Sequence, residues 1–100
     1  MMTREVGARI GAILGSDDKT VKLLGYGVYE GDFVPPETTG GFNTGRPNPR
    51  LKLDSGKVVW GCECWWGSEA KMKSEIEKWT AAGYVIIAVD IDDARRAAAS

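Results

Sequence analysis

The stretch SEAKMKSEIEKWTAAGYVIIAV (residues 68–89) decides the fold, because it contains one helix followed directly by one strand. Its first residue is a serine, whose hydroxyl can accept a hydrogen bond from a free backbone N–H at a helix start. Met72, Ile76 and Trp79 follow the i, i+4, i+7 spacing of a buried stripe. The pattern predicts a helix from Glu69 to Ala82, which the next residue, a glycine, ends in a left-handed turn.

The end of this stretch, Tyr84 to Val89, is almost wholly apolar and rich in β-branched residues. Gly83 and Asp90 bound it. A short run of this kind is typical of a strand that is buried on both faces. We therefore expect it to lie at the centre of a sheet.

Alternating residues near the amino terminus predict a hairpin. From Val6 to Leu14 the side chains alternate between two faces, as in a half-buried strand. Gly15 to Lys19 has turn composition, and Thr20 to Glu30 predicts the returning strand. In that strand Gly25 and Gly27 indicate a bulge, a bend or the close approach of another backbone.

A second pair of strands follows a long loop. The loop, Pro35 to Pro49, is rich in proline and glycine, and a loop of this length in a small domain is usually functional or mobile. Arg50 to Leu53 predicts a strand, Asp54 to Gly56 a turn, and Lys57 to Trp66 the strand that returns.

Together these elements predict one α+β domain over residues 1–100. Its order is β-β-loop-β-β-α-β, with four or five mostly antiparallel strands and one helix packed on one face. The alanine-rich tail, Asp92 to Ser100, is compatible with a short helix or with a frayed terminus.

The composition argues against several classes of protein. A net charge of −1 argues against a binder of duplex nucleic acid, although a local basic patch around Arg46 and Arg50 stays open. The longest apolar run, Gly83 to Val89, is too short for a membrane span, and the start of the chain lacks the apolar stretch of a secretory signal. The cytoplasm is therefore the expected location.

Histidine is absent from the sequence. Its absence removes Ser-His-Asp and Cys-His nucleophile pairs, imidazole metal sites and the usual general base near neutral pH. Any catalysis would depend on carboxylates, lysine, tyrosine or a cysteine with another activator, so the sequence leans away from an enzyme.

The segment Val58 to Gly67 concentrates unusual residues. In a regular strand, one face would carry Trp60, Cys62, Cys64 and Trp66, and the other Val59, Glu63 and Trp65. A small domain has difficulty burying so much indole in its own core. We expect some of it at a subunit interface or in a ligand groove, and the alternative, that all of it anchors the core under the helix, stays open.

The cysteines and carboxylates do not predict a metal site or a cofactor. Cys62 and Cys64 supply half of a zinc site, with no histidine or second cysteine pair to complete it, and are best interpreted as small buried residues. The carboxylates at Glu30 and Asp32, and those within Asp90–Asp93, lie at predicted strand ends, where capping is their commoner role.

The stretches LGYGVYEGD (residues 24–32) and NPRLKLDSGKVVWGCECWWG (residues 48–67) resemble a family of small bacterial hypothetical proteins carried on mobile gene cassettes of the integron type. The resemblance covers most of the chain from Val6 to Val89. It implies a bacterial, cytoplasmic accessory protein that folds independently, and it favours a homo-oligomer. No activity is attached to the family, so it implies no catalytic residue.

Two hypotheses of function follow. The first is a non-enzymatic interaction module that self-associates, as a dimer above all, through a tryptophan-bearing sheet face. The second is a small-molecule-binding protein, or a carboxylate-based enzyme, with its site beneath the proline- and glycine-rich loop. The candidate ligand or interface residues are Trp65, Glu63, Trp60, Tyr26, Tyr29 and Arg46.

Overall fold

The protein is an α+β fold with one six-stranded sheet and two helices, seen in a computed structural model that describes residues 5–36 and 45–99. The middle of the predicted loop, residues 37–44, lies outside the described residues. A 3-10 turn, Gly61–Glu63, connects the fourth and fifth strands. The elements are β1 Arg9–Asp17, β2 Thr20–Phe33, β3 Asn48–Leu53, β4 Val58–Trp60, β5 Trp65–Ser68, α1 Glu69–Ala81, β6 Val85–Ala88 and α2 Ile91–Ala99.

The first hairpin is confirmed, with a tighter turn than the sequence predicts. Only Asp18 and Lys19 form the turn, and both have positive φ angles, 38° and 69°. A two-residue turn of this hand matches the twist of the strands on either side, so β1 and β2 pair up to the turn itself. The residues predicted as the start of a longer turn, from Gly15, belong to β1 instead.

The two glycines inside β2 have the roles that the sequence predicts. Gly25 has a φ of 135° at a bulge, where the register against β1 skips Leu24. The bulge brings Tyr26 onto the same face of the sheet as Val21. A Cβ at Gly27 would lie 2.0 Å from the carbonyl oxygen of Lys52, so the β3 backbone approaches too closely for any side chain there.

The strand predicted from Lys57 to Trp66 is wrong, because this segment forms two strands at opposite edges of the sheet. The order is β4-β3-β2-β1-β5, and only residues 61–64 connect β4 to β5. Outer strands of a flat five-stranded sheet lie about 19 Å apart, whereas this connection reaches about 17 Å when fully extended. The sheet is therefore curled, so that its two edges come together.

The curl has an inner and an outer apolar core. The inner core contains Ile10, Ala12, Leu24, Leu51, Leu53, Val59 and Ile91. The outer core contains Ile13, Val21 and Met72, with partly buried neighbours that include Ile76 and Trp79. Two side chains leave little room where the edges meet, since a Cβ at Gly61 would lie 2.9 Å from the ring of Pro49 and 2.9 Å from the indole nitrogen of Trp66. Pro49 belongs to β3 and not to the preceding loop.

Helix α1 confirms the prediction almost residue for residue. The Ser68 hydroxyl accepts a hydrogen bond from the Lys71 N–H at 3.2 Å. At the other end Gly83 has a φ of 95°, and the Tyr84 N–H donates to the Trp79 carbonyl at 2.9 Å, which closes a Schellman motif. The apolar stripe of Met72, Ile76 and Trp79 faces the outer core, as the spacing predicts.

The last strand, β6, is not central and is not buried on both faces, so this prediction is wrong. It runs parallel to the first half of β2, pairing Thr20 with Val85, and occupies an outer position. Only Ile86 packs into the outer core beside α1. In the part of the chain that the structure describes, no element lies over the opposite face, where Val85 and Ile87 are 60% and 40% exposed.

The tail forms a second helix, α2, which the predicted order β-β-loop-β-β-α-β does not include. Ile91 is buried in the inner core, and this contact fixes the start of the helix. The Asp90 carboxylate caps it by accepting the Asp92 N–H at 2.7 Å. Within the described residues, neither helix has the length and apolar character needed to cross a bilayer.

Candidate functional site

The six residues singled out from the sequence are distributed over both faces of the sheet and do not form one cluster. Tyr26 packs on the outer core and Tyr29 on the inner core, because residues at i and i+3 of a strand lie on opposite faces. Trp65 lies on β5 at the outer side, against Trp79. Arg46 is exposed, and within the described residues no ion pair or ring contact joins it to the other five.

One candidate, Trp60, borders a groove of about 520 Å³. The groove lies where the end of β2, the start of β3, strand β4 and helix α2 meet, at the beginning of the proline- and glycine-rich loop. Its volume falls within the range of small-molecule sites. The lining residues are Phe33, Val34, Pro36, Arg50, Val58, Trp60 and Arg95. We call this site the arginine groove.

Arg50 is the most distinctive group in the arginine groove. Its Nε donates to the Glu30 carboxylate at 3.0 Å, and its guanidinium carbon lies 4.1 Å from the centroid of the Phe33 ring. Among the described residues, its two Nη atoms have no hydrogen-bond partner. The guanidinium is therefore held from two sides and retains donors of the kind that bind carboxylate or phosphate.

The second arginine of the groove is held by Glu63. Arg95 donates from Nε and Nη2 to the two carboxylate oxygens of Glu63, at 2.8 and 2.6 Å, and also to the Val58 carbonyl at 3.1 Å. Hydrogen bonding to Glu63 raises the pKa of the Arg95 guanidinium above its usual value, because it stabilises the charged form. Only 5% of the Glu63 side chain is exposed, so this carboxylate supports the groove and does not line it.

Glu63 also fixes the backbone beneath the groove. Its Oε1 accepts the Trp60 N–H at 3.0 Å, at the start of the 3-10 turn. Trp60 itself is 6% exposed, so only a small part of its ring is accessible from the groove. The Glu63 carboxylate thus connects the backbone N–H of Trp60, at the end of β4, to the Arg95 side chain on α2.

A second surface gathers the remaining indole. Trp65 is 47% exposed and meets Trp79 edge-on, with ring centroids 5.4 Å apart. Trp79 lies 6.5 Å from Tyr84, and the Lys19 Nζ lies 5.0 Å from the Tyr84 ring centroid. We call Trp65, Trp79 and Tyr84 the outer aromatic surface. Trp60 is buried and Trp66 packs against the inner core, whereas Trp65 is exposed. Some tryptophans therefore anchor the core and one lies at the surface, so each of the two sequence-based alternatives holds for part of the set.

The cysteines have environments that disfavour the reactive thiolate. Burial raises the pKa of Cys64 to about 12, and burial also raises the pKa of Cys62. The Cys64 thiol lies 3.5 Å from the Trp60 carbonyl and contributes to the inner core. Over residues 5–36 and 45–99, no group of three or more cysteine, aspartate or glutamate side chains is placed to hold a metal ion.

The carboxylates near the groove are engaged by neighbouring side chains. Glu30 accepts from Arg50, and the Tyr29 hydroxyl donates to Asp32 at 2.7 Å, while the Tyr29 ring stacks on Trp66 with centroids 5.8 Å apart. Sequence reasoning placed Arg50 only in a possible basic patch and did not single out Phe33 or Arg95 as site residues. Their contacts join residues far apart in the chain, and no local pattern signals them.

Comparison with protein-family models, with curated proteins and with solved structures gave no match for this chain. The resemblance to cassette-borne bacterial proteins stays a prediction.

Proposed function

We propose that the protein is a non-enzymatic binding module whose arginine groove takes a small molecule with a carboxylate or phosphate group next to an apolar portion. The observation that carries the proposal is the Arg50 guanidinium, held by Glu30 and Phe33 with both Nη atoms unpartnered among the described residues. Such a donor pair matches the geometry of an anionic oxygen group.

The surroundings of Arg50 support an anion with an apolar part. Phe33, Val58 and Trp60 provide aromatic and aliphatic wall, and the charge comes from the guanidinium. Because Glu30 and Phe33 already restrict the arginine side chain, less conformational entropy is lost when a ligand binds. Each hydrogen bond to a charged group contributes about 1.5–3 kcal/mol to such recognition.

The chemistry of the groove favours binding over catalysis. The two glutamates beside the groove are both paired with arginines: Glu30 with Arg50 at 3.0 Å, and Glu63 with Arg95 at 2.6 Å. Both carboxylates are thus engaged in holding the two arginines of the groove in place. The thiol of Cys64 has a raised pKa and lies in the inner core.

The test is a thermal-shift and calorimetric screen of aromatic and aliphatic carboxylates and phosphates against the full chain. At least one compound is expected to bind, and Arg50→Lys is expected to weaken it about tenfold or more, since lysine keeps the charge and loses the planar fork. Arg96→Lys is the matched control, because Arg96 is an exposed arginine paired with Asp93 outside the groove lining. A screen without any binder, or equal binding by Arg50→Lys, would overturn the proposal.

A second candidate function is self-association through the outer aromatic surface. It is favoured by the exposure of Trp65, which is 47%, because large exposed rings are enriched at subunit interfaces. An interface built on this surface requires Trp65→Ala to weaken assembly and leave the fold intact, so assembly that this variant leaves unchanged would rule out this candidate in favour of another interface. Unfolding of that variant would assign Trp65 to the core and remove the support for this candidate.

A further inference from the structure

Strand β6 is short, and within residues 5–36 and 45–99 its outer edge has no charged side chain, proline, bulge or covering element. Its four residues, Val85–Ala88, include no charge and no proline, and its pairing with β2 is regular. Natural proteins usually protect such an edge with charged side chains, proline, a bulge or a covering element. Within the described residues, β6 pairs with β2 alone.

The hydrogen-bond pattern shows which backbone groups this edge presents. The Val85 N–H donates to the Lys19 carbonyl at 2.8 Å, and the Val89 N–H donates to the Leu23 carbonyl at 2.9 Å. Residues of a strand alternate in the side on which they bond. The N–H and C=O groups of Ile86 and Ala88 therefore point away from β2.

The side chains at the same edge are apolar and exposed. Val85 and Ile87 lie on the face that α1 does not cover, while Ile86 packs against α1 in the outer core. The edge therefore combines outward backbone donors and acceptors with an apolar face, which is the combination that a second β-strand covers.

We propose that β6 pairs antiparallel with β6 of a second copy of this chain, about a two-fold axis, so that two curled sheets join into one. A strand edge is self-complementary in this arrangement, because a two-fold axis places the same strand edge of both copies against each other. Val85 and Ile87 of the two copies then cover one another on the exposed face.

The charges at the two ends of β6 select the antiparallel direction. The exposed Lys19 lies beside the amino-terminal end, with its Nζ 5.0 Å from the ring of Tyr84. Asp90 follows the carboxyl-terminal end, where its carboxylate is 44% exposed and lies 3.7 Å from the Lys57 Nζ. Antiparallel pairing brings Lys19 of one copy towards Asp90 of the other. Parallel pairing would instead bring Lys19 towards Lys19 and Asp90 towards Asp90, which is the less favourable arrangement for these two side chains.

Strand β6 and the arginine groove lie at opposite ends of β2. Strand β6 pairs with Thr20–Leu23 at the beginning of β2, whereas the groove includes Phe33 at its end. Because the strand pair is short, the interface is smaller than that of a permanent dimer, and we expect dissociation in the micromolar range.

The experiment measures the mass of the full chain by sedimentation equilibrium from about 1 µM to about 1 mM, a range that spans the expected dissociation constant. The wild-type chain is expected to pass from monomer to dimer. Ile87→Lys is expected to weaken the dimer about a hundredfold, because the two-fold interface contains the substitution twice at about tenfold each. Trp65→Ala is the control, since it removes an exposed apolar side chain from another surface, and it is expected to dimerise as the wild type does.

A backbone variant separates strand pairing from general apolar contact. Ala88→Pro removes an N–H that points away from β2, so the pairing with β2 is kept and the dimer is lost. Hydrogen exchange provides a readout without substitution: the Ile86 and Ala88 amides are expected to become protected as the protein concentration rises. A wild-type chain that stays monomeric, a dimer that Ile87→Lys leaves unchanged, loss of assembly in Trp65→Ala alone, or a dimer without protection at these amides would each overturn the proposal.

Discussion

Replacing Glu63 by glutamine perturbs the ion pair that connects the closure of the sheet to helix α2. Glutamine keeps the size of the side chain and can still accept the Trp60 N–H, but it removes the charge opposite Arg95. One hydrogen bond between charged groups is lost, worth about 1.5–3 kcal/mol. Because 28% of the Arg95 side chain is exposed and Asp92 lies 3.5 Å from its Nη1, water and this carboxylate offset part of the loss.

The net expectation is a decrease of about 2 kcal/mol in the free energy of unfolding. For a domain of this size that corresponds to a decrease in Tm of about 8–16 °C. Differential scanning calorimetry measures it, with urea unfolding as an independent check. Asp93→Asn is the matched control on the same helix, since its partner Arg96 and Asp93 itself are both largely exposed, and it is expected to change stability by less than about 0.5 kcal/mol. Equal Tm values for the two variants would refute the view that the Glu63–Arg95 pair holds α2 to the sheet.

Three further substitutions or conditions test other parts of the structure. Gly27→Ala is expected to destabilise the protein by more than about 2 kcal/mol in urea unfolding, because its Cβ would overlap the β3 backbone; a cost like that of an exposed surface substitution would contradict the close approach. Arg9 lowers the pKa values of Asp54 and Glu69 by hydrogen bonding, so the stability they contribute is present above about pH 4.5 and is lost as the pH falls. Arg9→Gln is expected to flatten this acid dependence, measured by urea unfolding from about pH 2 to about pH 7, and an unchanged slope would argue against the pairing. Cys64, whose pKa is raised to about 12, is expected to react with iodoacetamide at about pH 8 at least about a hundredfold more slowly in the folded than in the unfolded chain; equal rates by peptide mapping would contradict its burial.

The elements predicted best are those whose signals are local. Helix α1 has its cap, its apolar stripe and its terminating glycine within one stretch, and each of them acts as the sequence indicates. The turn before Lys57 and the bulge at Gly25 are likewise set by residues at those positions. Local signals of this kind are independent of how distant parts of the chain meet.

The predictions that are wrong concern features that depend on contacts between distant parts of the chain. The apolar run Val85–Ala88 is the same whether or not both its faces are covered, and its outer position depends on pairing with β2. The sequence predicts one strand around Gly61 because valine and tryptophan suit a pleated surface. The segment divides because Glu63 accepts the Trp60 N–H and turns the backbone there. The arginine groove combines Phe33, Arg50 and Arg95 from separate elements, so no pattern along the chain predicts it.

The short connection between β4 and β5 has a consequence for the order of folding. The pairing of β5 with β1 joins Ser68 to Ile10, two residues that lie far apart in the chain, whereas the two hairpins β1–β2 and β3–β4 need only near neighbours. Local pairings form faster than distant ones. During synthesis on the ribosome, the outer edge of β1 therefore stays bare until β5 has emerged, and α1 can dock only after that. The nascent chain is most prone to aggregation in this interval.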